Sequence, residues 1–156
     1  WRLDSGHLFT QEMSDRIIAD LKDTKVRRRG LSLSGGDPLH PANIVEIYAL
    51  VTRVRNECPD KDIWCWTGYR LDELTPDQRS IVDLVDVLID GKYIAEIADP
   101  SLVWRGSSNQ VSHEFDRSGA WWRQSSQNIG TSQLHALSSS ARVSDQPVTR
   151  QCGSRS

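Results

Sequence analysis

Long apolar runs and paired cysteines are both missing from this 156-residue sequence. No stretch approaches the roughly 18 apolar residues that a membrane span needs, and no basic segment followed by an apolar one opens the chain. The cysteines Cys58, Cys65 and Cys152 form no C-x2-C pair, which argues against a zinc site and against a secreted disulfide framework. We therefore expect a cytoplasmic protein with no membrane partner.

A concentration of positive charge is missing too. Residues 1–115 carry 14 Lys and Arg against 19 Asp and Glu, and residues 116–156 carry 5 against 2. Nucleic-acid binders usually present a strongly basic face, and the three arginines at 27–29 alone are more typical of a solvated turn. We expect no nucleic-acid partner.

The composition changes after Phe115. From Asp116 onward the sequence has ten serines and five glutamines, but no lysine, no glutamate and no sustained apolar period. Such a segment cannot bury enough apolar area to offset the entropy lost on ordering its backbone. The sequence therefore predicts one globular domain over 1–115 and a disordered or non-native tail over 116–156.

Helical and strand patterns alternate along residues 1–115. Apolar residues recur at helical spacing over about 11–23, after the capping residue Thr10, and from Pro41 to Val54. Thr75-Pro76 with Gln78 is a capping-box start for a short third helix. Short apolar runs closed by turn residues predict four strands, at 30–34, 62–66, 86–90 and 102–104.

The alternating order predicts an α/β fold with a parallel sheet. All strands of such a sheet end at one edge, which is where parallel α/β folds bind ligands. Each predicted strand is followed by a polar turn that contains glycine. We therefore predict that four turns, at 35–38, 67–69, 91–93 and 105–110, converge on one rim.

The residues of this rim allow more than one chemistry. Gly35 and Gly36 let a ligand approach the backbone closely, and the carboxylate of Asp37 can pair with an ammonium group. Alternatively, Asp37 and Asp90 could bind magnesium and phosphate, although no phosphate-binding loop accompanies them. Trp64 and Trp66 alternate along one strand, so they share a face of the sheet, and we expect that face to be core.

Four ordered motifs resemble one enzyme family. The segments 32–39 (SLSGGDPL), 62–69 (DIWCWTGY), 89–92 (IDGK) and 104–110 (WRGSSNQ) are similar, in order and spacing, to the activating proteins of anaerobic ribonucleotide reductase. These are glycyl-radical activating enzymes of the radical S-adenosylmethionine (SAM) superfamily. The resemblance covers nearly all of residues 1–115, whereas the tail has no counterpart.

The resemblance implies a partial (β/α) barrel that holds a 4Fe–4S cluster and SAM. Such an enzyme cleaves SAM reductively, with an electron from a donor such as flavodoxin, and the 5′-deoxyadenosyl radical abstracts a glycine hydrogen from the large subunit of the reductase. In this family the GG(E/D)P turn holds the methionine amino group, and Asp37 here replaces the commoner Glu. The residues implied to bind the cofactor are Ser34, Gly35, Gly36, Asp37, Thr67, Tyr69, Asp90, Lys92, Arg105 and Asn109.

The sequence departs from this family in one motif, the C-x3-C-x2-C loop that binds the cluster. Three thiolates are needed there because the cluster keeps one iron open for SAM, and no cysteines of this sequence have that spacing. We expect the loop and a first strand to precede Trp1, where no initiator methionine stands. The chain would then be an inactive fragment without known catalytic residues, and a non-catalytic module that docks to the reductase is the alternative.

Overall fold

Helices and strands alternate in a computed structural model of the chain, which describes residues 8–116 and 123–125. The predicted tail 116–156 therefore lies outside the described residues, apart from Asp116 and one short strand. The helices are α1 (Gln11–Lys22), α2 (Ile44–Glu57) and α3 (Pro76–Val82), and the strands are β1 (Gly30–Leu33), β2 (Asp62–Trp66), β3 (Val87–Asp90), β4 (Val111–Glu114) and β5 (Arg123–Ser125).

The strands form one sheet in the order β1-β2-β3-β4-β5. β1, β2 and β3 are parallel, with Leu33 paired with Cys65 and Cys65 paired with Leu88. β4 then runs antiparallel to β3, and β5 antiparallel to β4. The α/β class and the parallel pairing of the first three strands are confirmed, whereas a barrel stays a prediction.

The predicted fourth strand at 102–104 is wrong. Trp104 has a φ of +65°, which a strand does not permit. The segment lies in a loop closed by an isolated bridge between Ala98 and Ser107. β4 starts instead at Val111, which pairs with Asp90 at the carboxyl end of β3. The polar loop before β4 therefore lies at the rim because it precedes an antiparallel strand, and not because it follows a parallel one.

The hydrophobic core lies on one face of the sheet. Ile63 and Cys65 of β2 are fully buried there, together with residues of all three helices. Trp64 and Trp66 point to the opposite face and are only half-buried, so the expectation that their face is the core is wrong. Ile18, Leu21, Leu50, Val51, Val54, Ile81 and Leu88 complete the centre of the core.

Local signals set the helix boundaries. The hydroxyl of Thr10 accepts a hydrogen bond from the backbone N–H of Met13 (3.3 Å), and Thr75 and Gln78 form a complete capping box. Both predicted starts are confirmed, whereas the second helix begins with a 3-10 turn at Pro41–Asn43 before α2. In the part of the chain that the structure describes, no helix is both long and apolar enough to span a bilayer.

Arg55 joins α2 to the loops that lead into β2 and β3. Its guanidinium donates to the carbonyl oxygens of Leu84 (2.6 Å) and Lys61 (2.9 Å) and to Asp86 Oδ2 (2.7 Å). Asp86 Oδ2 also accepts from the backbone N–H of Ile63 (2.7 Å). Both charged side chains are largely buried, at 12% and 16% exposure. The ion pair is therefore shielded from water in the folded protein.

We predict that Arg55→Ala lowers the free energy of unfolding by about 3 kcal/mol, because removing one partner of a buried ion pair leaves the other without its counter-charge. Arg29→Ala is the matched control. The Arg29 side chain is 89% exposed and contacts Asp62 at 3.0 Å, so its loss should cost at most about 1 kcal/mol. Urea unfolding measures both, and equal effects of the two substitutions would contradict the prediction.

Candidate functional site

A strained turn follows β1. Gly35, Gly36 and Asp37 have φ values of +79°, +57° and +50°, so three consecutive residues adopt the left-handed conformation. Glycine enters this region freely, and aspartate tolerates it better than most residues do. The turn lies at the carboxyl end of β1, on the edge of the sheet where the sequence places a rim.

The Asp37 carboxylate connects this turn to the end of β2. Oδ1 accepts from the backbone N–H of Leu39 (3.0 Å) and the hydroxyl of Thr67 (2.8 Å), and Oδ2 accepts from the backbone N–H of Gly68 (2.8 Å). An ionised carboxylate offers about four acceptor positions. Three neutral donors fill three of them, and no cationic side chain pairs with Asp37 within residues 8–116. One acceptor position on Oδ2 and the negative charge remain available.

Thr67 and Tyr69 lie next to the turn, and the Thr67 hydroxyl and the Tyr69 backbone make hydrogen bonds within the protein. The Thr67 hydroxyl, which is buried, donates to Asp37 and accepts from the backbone N–H of Tyr69 (3.2 Å). The Tyr69 carbonyl accepts from the backbone N–H of Gly91 (2.9 Å), and its ring packs against the core. Both residues therefore hold the ends of β1, β2 and β3 together.

Asp90 is buried beneath the rim rather than exposed on it. Its Oδ2 accepts from the backbone N–H of Leu71 (2.8 Å) and lies 3.2 Å from Nε2 of His113 on β4. Burial by itself would raise the pKa of Asp90, but the hydrogen bonds from His113 and Leu71 outweigh burial, so the pKa lies below its ordinary value. No local sequence signal points to His113, since its partner is 23 residues away.

A cavity of about 520 Å³ opens above Asp90. Gly68, Asp90, Lys92 and Asn109 line it, together with His113 and the segment 70–73. The amide of Asn109 donates to the Lys92 carbonyl (2.8 Å) and so fixes one wall. The structure therefore brings three of the sequence-predicted residues, Asp90, Lys92 and Asn109, into one cavity.

Gly68 lies between the Asp37 turn and this cavity. A Cβ at Gly68 would lie 3.3 Å from Asp37 Oδ2 and 3.9 Å from Lys92 Cα. Any side chain at this position would therefore crowd the space between the carboxylate and Lys92. Glycine permits the close approach here through its lack of a side chain.

Ser34 and Arg105 are the predicted site residues with the weakest connection to the cavity. Ser34 is exposed at the end of β1, beside the turn but not among the cavity residues. Arg105 donates to the Gln110 carbonyl (3.0 Å) and supports the loop before β4. Gln110 belongs to the 104–110 motif but not to the implied site residues. It is buried and joins this loop to the end of β3 by donating to the Gly91 carbonyl (2.9 Å).

The alternative magnesium site receives little support. Asp37 and Asp90 are held by separate sets of protein donors, as described above. Over the described ranges 8–116 and 123–125, no group of three or more His, Cys, Asp or Glu residues could hold a metal ion.

Cys58 and Cys65 do not fit a 4Fe–4S cluster, whose binding loop needs three thiolates. Both side chains belong to the hydrophobic core, at 3% and 0% exposure. Burial raises the pKa of both thiols, that of Cys65 to about 12, so they are protonated and inert at neutral pH. Cys152 lies outside the described residues.

Comparison with known proteins gives the class of protein first. Residues 1–113 match a family model described as a 4Fe-4S single cluster domain. The chain therefore belongs to a class of iron-sulfur proteins. No solved structure matches the chain.

Curated relatives then define the family. The anaerobic ribonucleoside-triphosphate reductase-activating protein of Vibrio cholerae is 64% identical over 115 residues, which are 74% of each chain. The protein of that name from Salmonella typhimurium is 63% identical over 74% of this chain and 75% of its own. The one from Enterobacteria phage T4 is 42% identical over 70% and 67%. The chain belongs to this family of activating proteins, which confirms the resemblance seen in the four motifs.

We predict that the stability of the fold falls in acid because of Asp90. Since the pKa of Asp90 is lowered on folding, the ionised carboxylate stabilises the fold above its unfolded pKa, and this contribution disappears as the pH falls through the folded pKa. Asp90→Asn should therefore reduce the loss of stability between pH 7 and about pH 3. Urea unfolding at several pH values checks this, with the exposed Asp83→Asn as control. An unchanged pH profile in Asp90→Asn would count against it.

We also predict that the chain does not assemble a stoichiometric 4Fe–4S cluster when it is incubated anaerobically with iron and sulfide, because Cys58 and Cys65 are buried thiols. Iron and sulfide analysis with absorption and paramagnetic resonance spectra measures the outcome. A cluster signal at one per chain that disappears in Cys58→Ser or Cys65→Ser would show that the prediction is wrong.

Proposed function

We propose that the rim binds SAM and supplies the SAM-binding part of an activase for anaerobic ribonucleotide reductase. In this proposal SAM is cleaved reductively, with an electron from a donor such as flavodoxin, and a glycine of the reductase becomes a radical. The names of the relatives supply the partner, since they activate a ribonucleoside-triphosphate reductase.

The observation that carries the proposal is the unsatisfied charge of Asp37. Its carboxylate is fixed by three neutral donors, so it is positioned before any ligand arrives. The methionine part of SAM has an ammonium group, which can donate to the open acceptor position on Oδ2. A charge-assisted hydrogen bond of this kind is roughly twice as strong as a neutral one.

The neighbouring groups suit the rest of the same ligand. Lys92 is exposed, lines the cavity and has its Cα close to Gly68, so its ammonium group would bring a positive charge to the cavity side of the rim. A methionine carboxylate would be attracted there while the ammonium group contacts Asp37. The cavity of about 520 Å³ lies within the usual size range for small-molecule sites, roughly 300–1,000 Å³, and suits the adenosine part.

The described residues contribute binding and orientation to the proposed reaction. Because Cys58 and Cys65 do not fit a cluster, no step of electron transfer is assigned to them. The rim instead would hold SAM by its charged methionine end, in a fixed orientation relative to the sheet.

A non-catalytic docking module remains the second candidate. Several large apolar side chains within residues 93–104 favour it, because they are 38–57% exposed. Exposed apolar patches often mark protein interfaces. SAM binding separates the two candidates, since only the activase requires it. The exposed side chains are Tyr93, Ile94, Ile97, Val103 and Trp104.

We predict that Asp37→Asn weakens SAM binding about 10- to 100-fold, because it removes a charge-assisted hydrogen bond worth about 1.5–3 kcal/mol. Asparagine keeps the size of the side chain and tolerates the left-handed backbone, but its amide NH2 cannot accept from the Gly68 N–H as Asp37 Oδ2 does, so the loss includes that contact. Isothermal titration of SAM into the chain measures the effect. 5′-Methylthioadenosine, which lacks the amino-acid part, should bind both proteins equally.

The exposed Asp83→Asn is the matched control, because it removes one negative charge away from the turn. It should bind SAM like the wild type. Equal SAM affinity of Asp37→Asn and wild type would mean that the turn only terminates β1, and absence of SAM binding by the wild type would favour the docking module.

A further inference from the structure

The backbone of the Gly35–Asp37 turn is held from the side of α2. The Nδ2 amide of Asn43 donates to the carbonyl oxygens of Gly36 (3.2 Å) and Asp37 (2.9 Å). The Asp37 carbonyl also accepts from the backbone N–H of His40 (3.0 Å). Two successive carbonyl groups are therefore directed towards Asn43, away from a ligand on the rim.

Gly35 is exposed at the start of the turn. The Asp37 carboxylate at the end of the turn keeps an open acceptor position on Oδ2 for an ammonium group, because three neutral donors fill the other positions.

Asn43 is the last residue of the 3-10 turn that leads into α2, and its side chain makes no capping hydrogen bond. The cap of this helical run comes from His40, whose Nδ1 accepts from the backbone N–H of Ala42 (3.2 Å). The amide of Asn43 is therefore available to contact the two turn carbonyls.

The downstream end of the turn is fixed independently. The buried amide of Gln78 donates to the Leu39 carbonyl (2.8 Å) and accepts from the backbone N–H of Thr75 (2.8 Å). α3 therefore anchors the chain beyond Pro38 without contacting the glycines. Asn43 holds the Gly36 carbonyl and shares the Asp37 carbonyl with the backbone N–H of His40.

We infer that Asn43 is a positioning residue for recognition of the ligand's ammonium group. By holding the carbonyls of Gly36 and Asp37, it fixes the backbone of the turn that carries the Asp37 carboxylate. Asn43 itself does not touch the ligand. This inference rests on the proposed function, because the ligand with the ammonium group is SAM.

Asn43→Asp is the decisive substitution. Aspartate has nearly the same size and its charge suits the first turn of a helix, so the chain should remain folded, which its thermal unfolding midpoint checks. The new carboxylate, however, cannot donate to the two carbonyls and repels them. We expect SAM to bind about tenfold more weakly, because the turn that carries the Asp37 carboxylate is no longer held in one orientation, and 5′-methylthioadenosine to bind as before.

Asn43→Ala should weaken SAM binding in the same direction, and Asn56→Ala, an exposed asparagine on the same helix, is the matched control with wild-type affinity. If Asn43→Asp binds SAM as tightly as the wild type, the inference is overturned. It is also overturned if affinity for SAM and for 5′-methylthioadenosine falls equally, because a general structural defect would produce that result.

Nuclear magnetic resonance separates this inference from the proposed function. Asn43→Asp should shift the backbone amide signals of Gly35 and Gly36 without any ligand, whereas Asn56→Ala should not. If the wild type fails to bind SAM but these signals shift, the proposed function fails and the control of the turn by Asn43 stands. Unshifted signals overturn the inference even if the wild type binds SAM.

Discussion

The carboxylate of Asp37 is the contact on which the rim depends. It joins the left-handed turn after β1 to Thr67 and Gly68 after β2, and Thr67 in turn supports Tyr69. These donors are neutral, so the negative charge is held in place without being neutralised. A rim built in this way is rigid before a ligand binds, and rigid sites lose less entropy on binding than flexible ones do.

The sequence predicted those parts of the fold that local signals determine. Thr10 and the Thr75–Gln78 capping box mark helix starts through contacts three residues apart, and the three parallel strands are short apolar runs between turns. The error at 102–104 has a different origin. Three apolar residues before a polar loop resemble a strand, but Trp104 adopts a positive φ because its loop folds back on itself, with Ala98 bridged to Ser107.

The sequence predicted which residues lie near the site, but not what each of them does there. Glycine turns and carboxylates at strand ends correctly indicated the edge of the sheet. Which side chains face a ligand depends on contacts between distant segments, and these have no local signal. Asp90 is buried because His113, on the antiparallel strand β4, lies against it. The Thr67 hydroxyl is bonded to Asp37, a residue 30 positions earlier in the chain.

The structure separates the two requirements of the proposed chemistry. An ammonium group needs a fixed negative charge and a free acceptor, and the Asp37 turn has both. A cluster needs thiolates, and burial keeps Cys65 protonated, with its pKa near 12. Recruiting Cys65 would also remove a fully buried side chain from the centre of β2, between Leu33 and Leu88. The fold therefore opposes cluster binding at the cysteines of its core, whereas the proposed binding of SAM through its methionine end would use the rim alone.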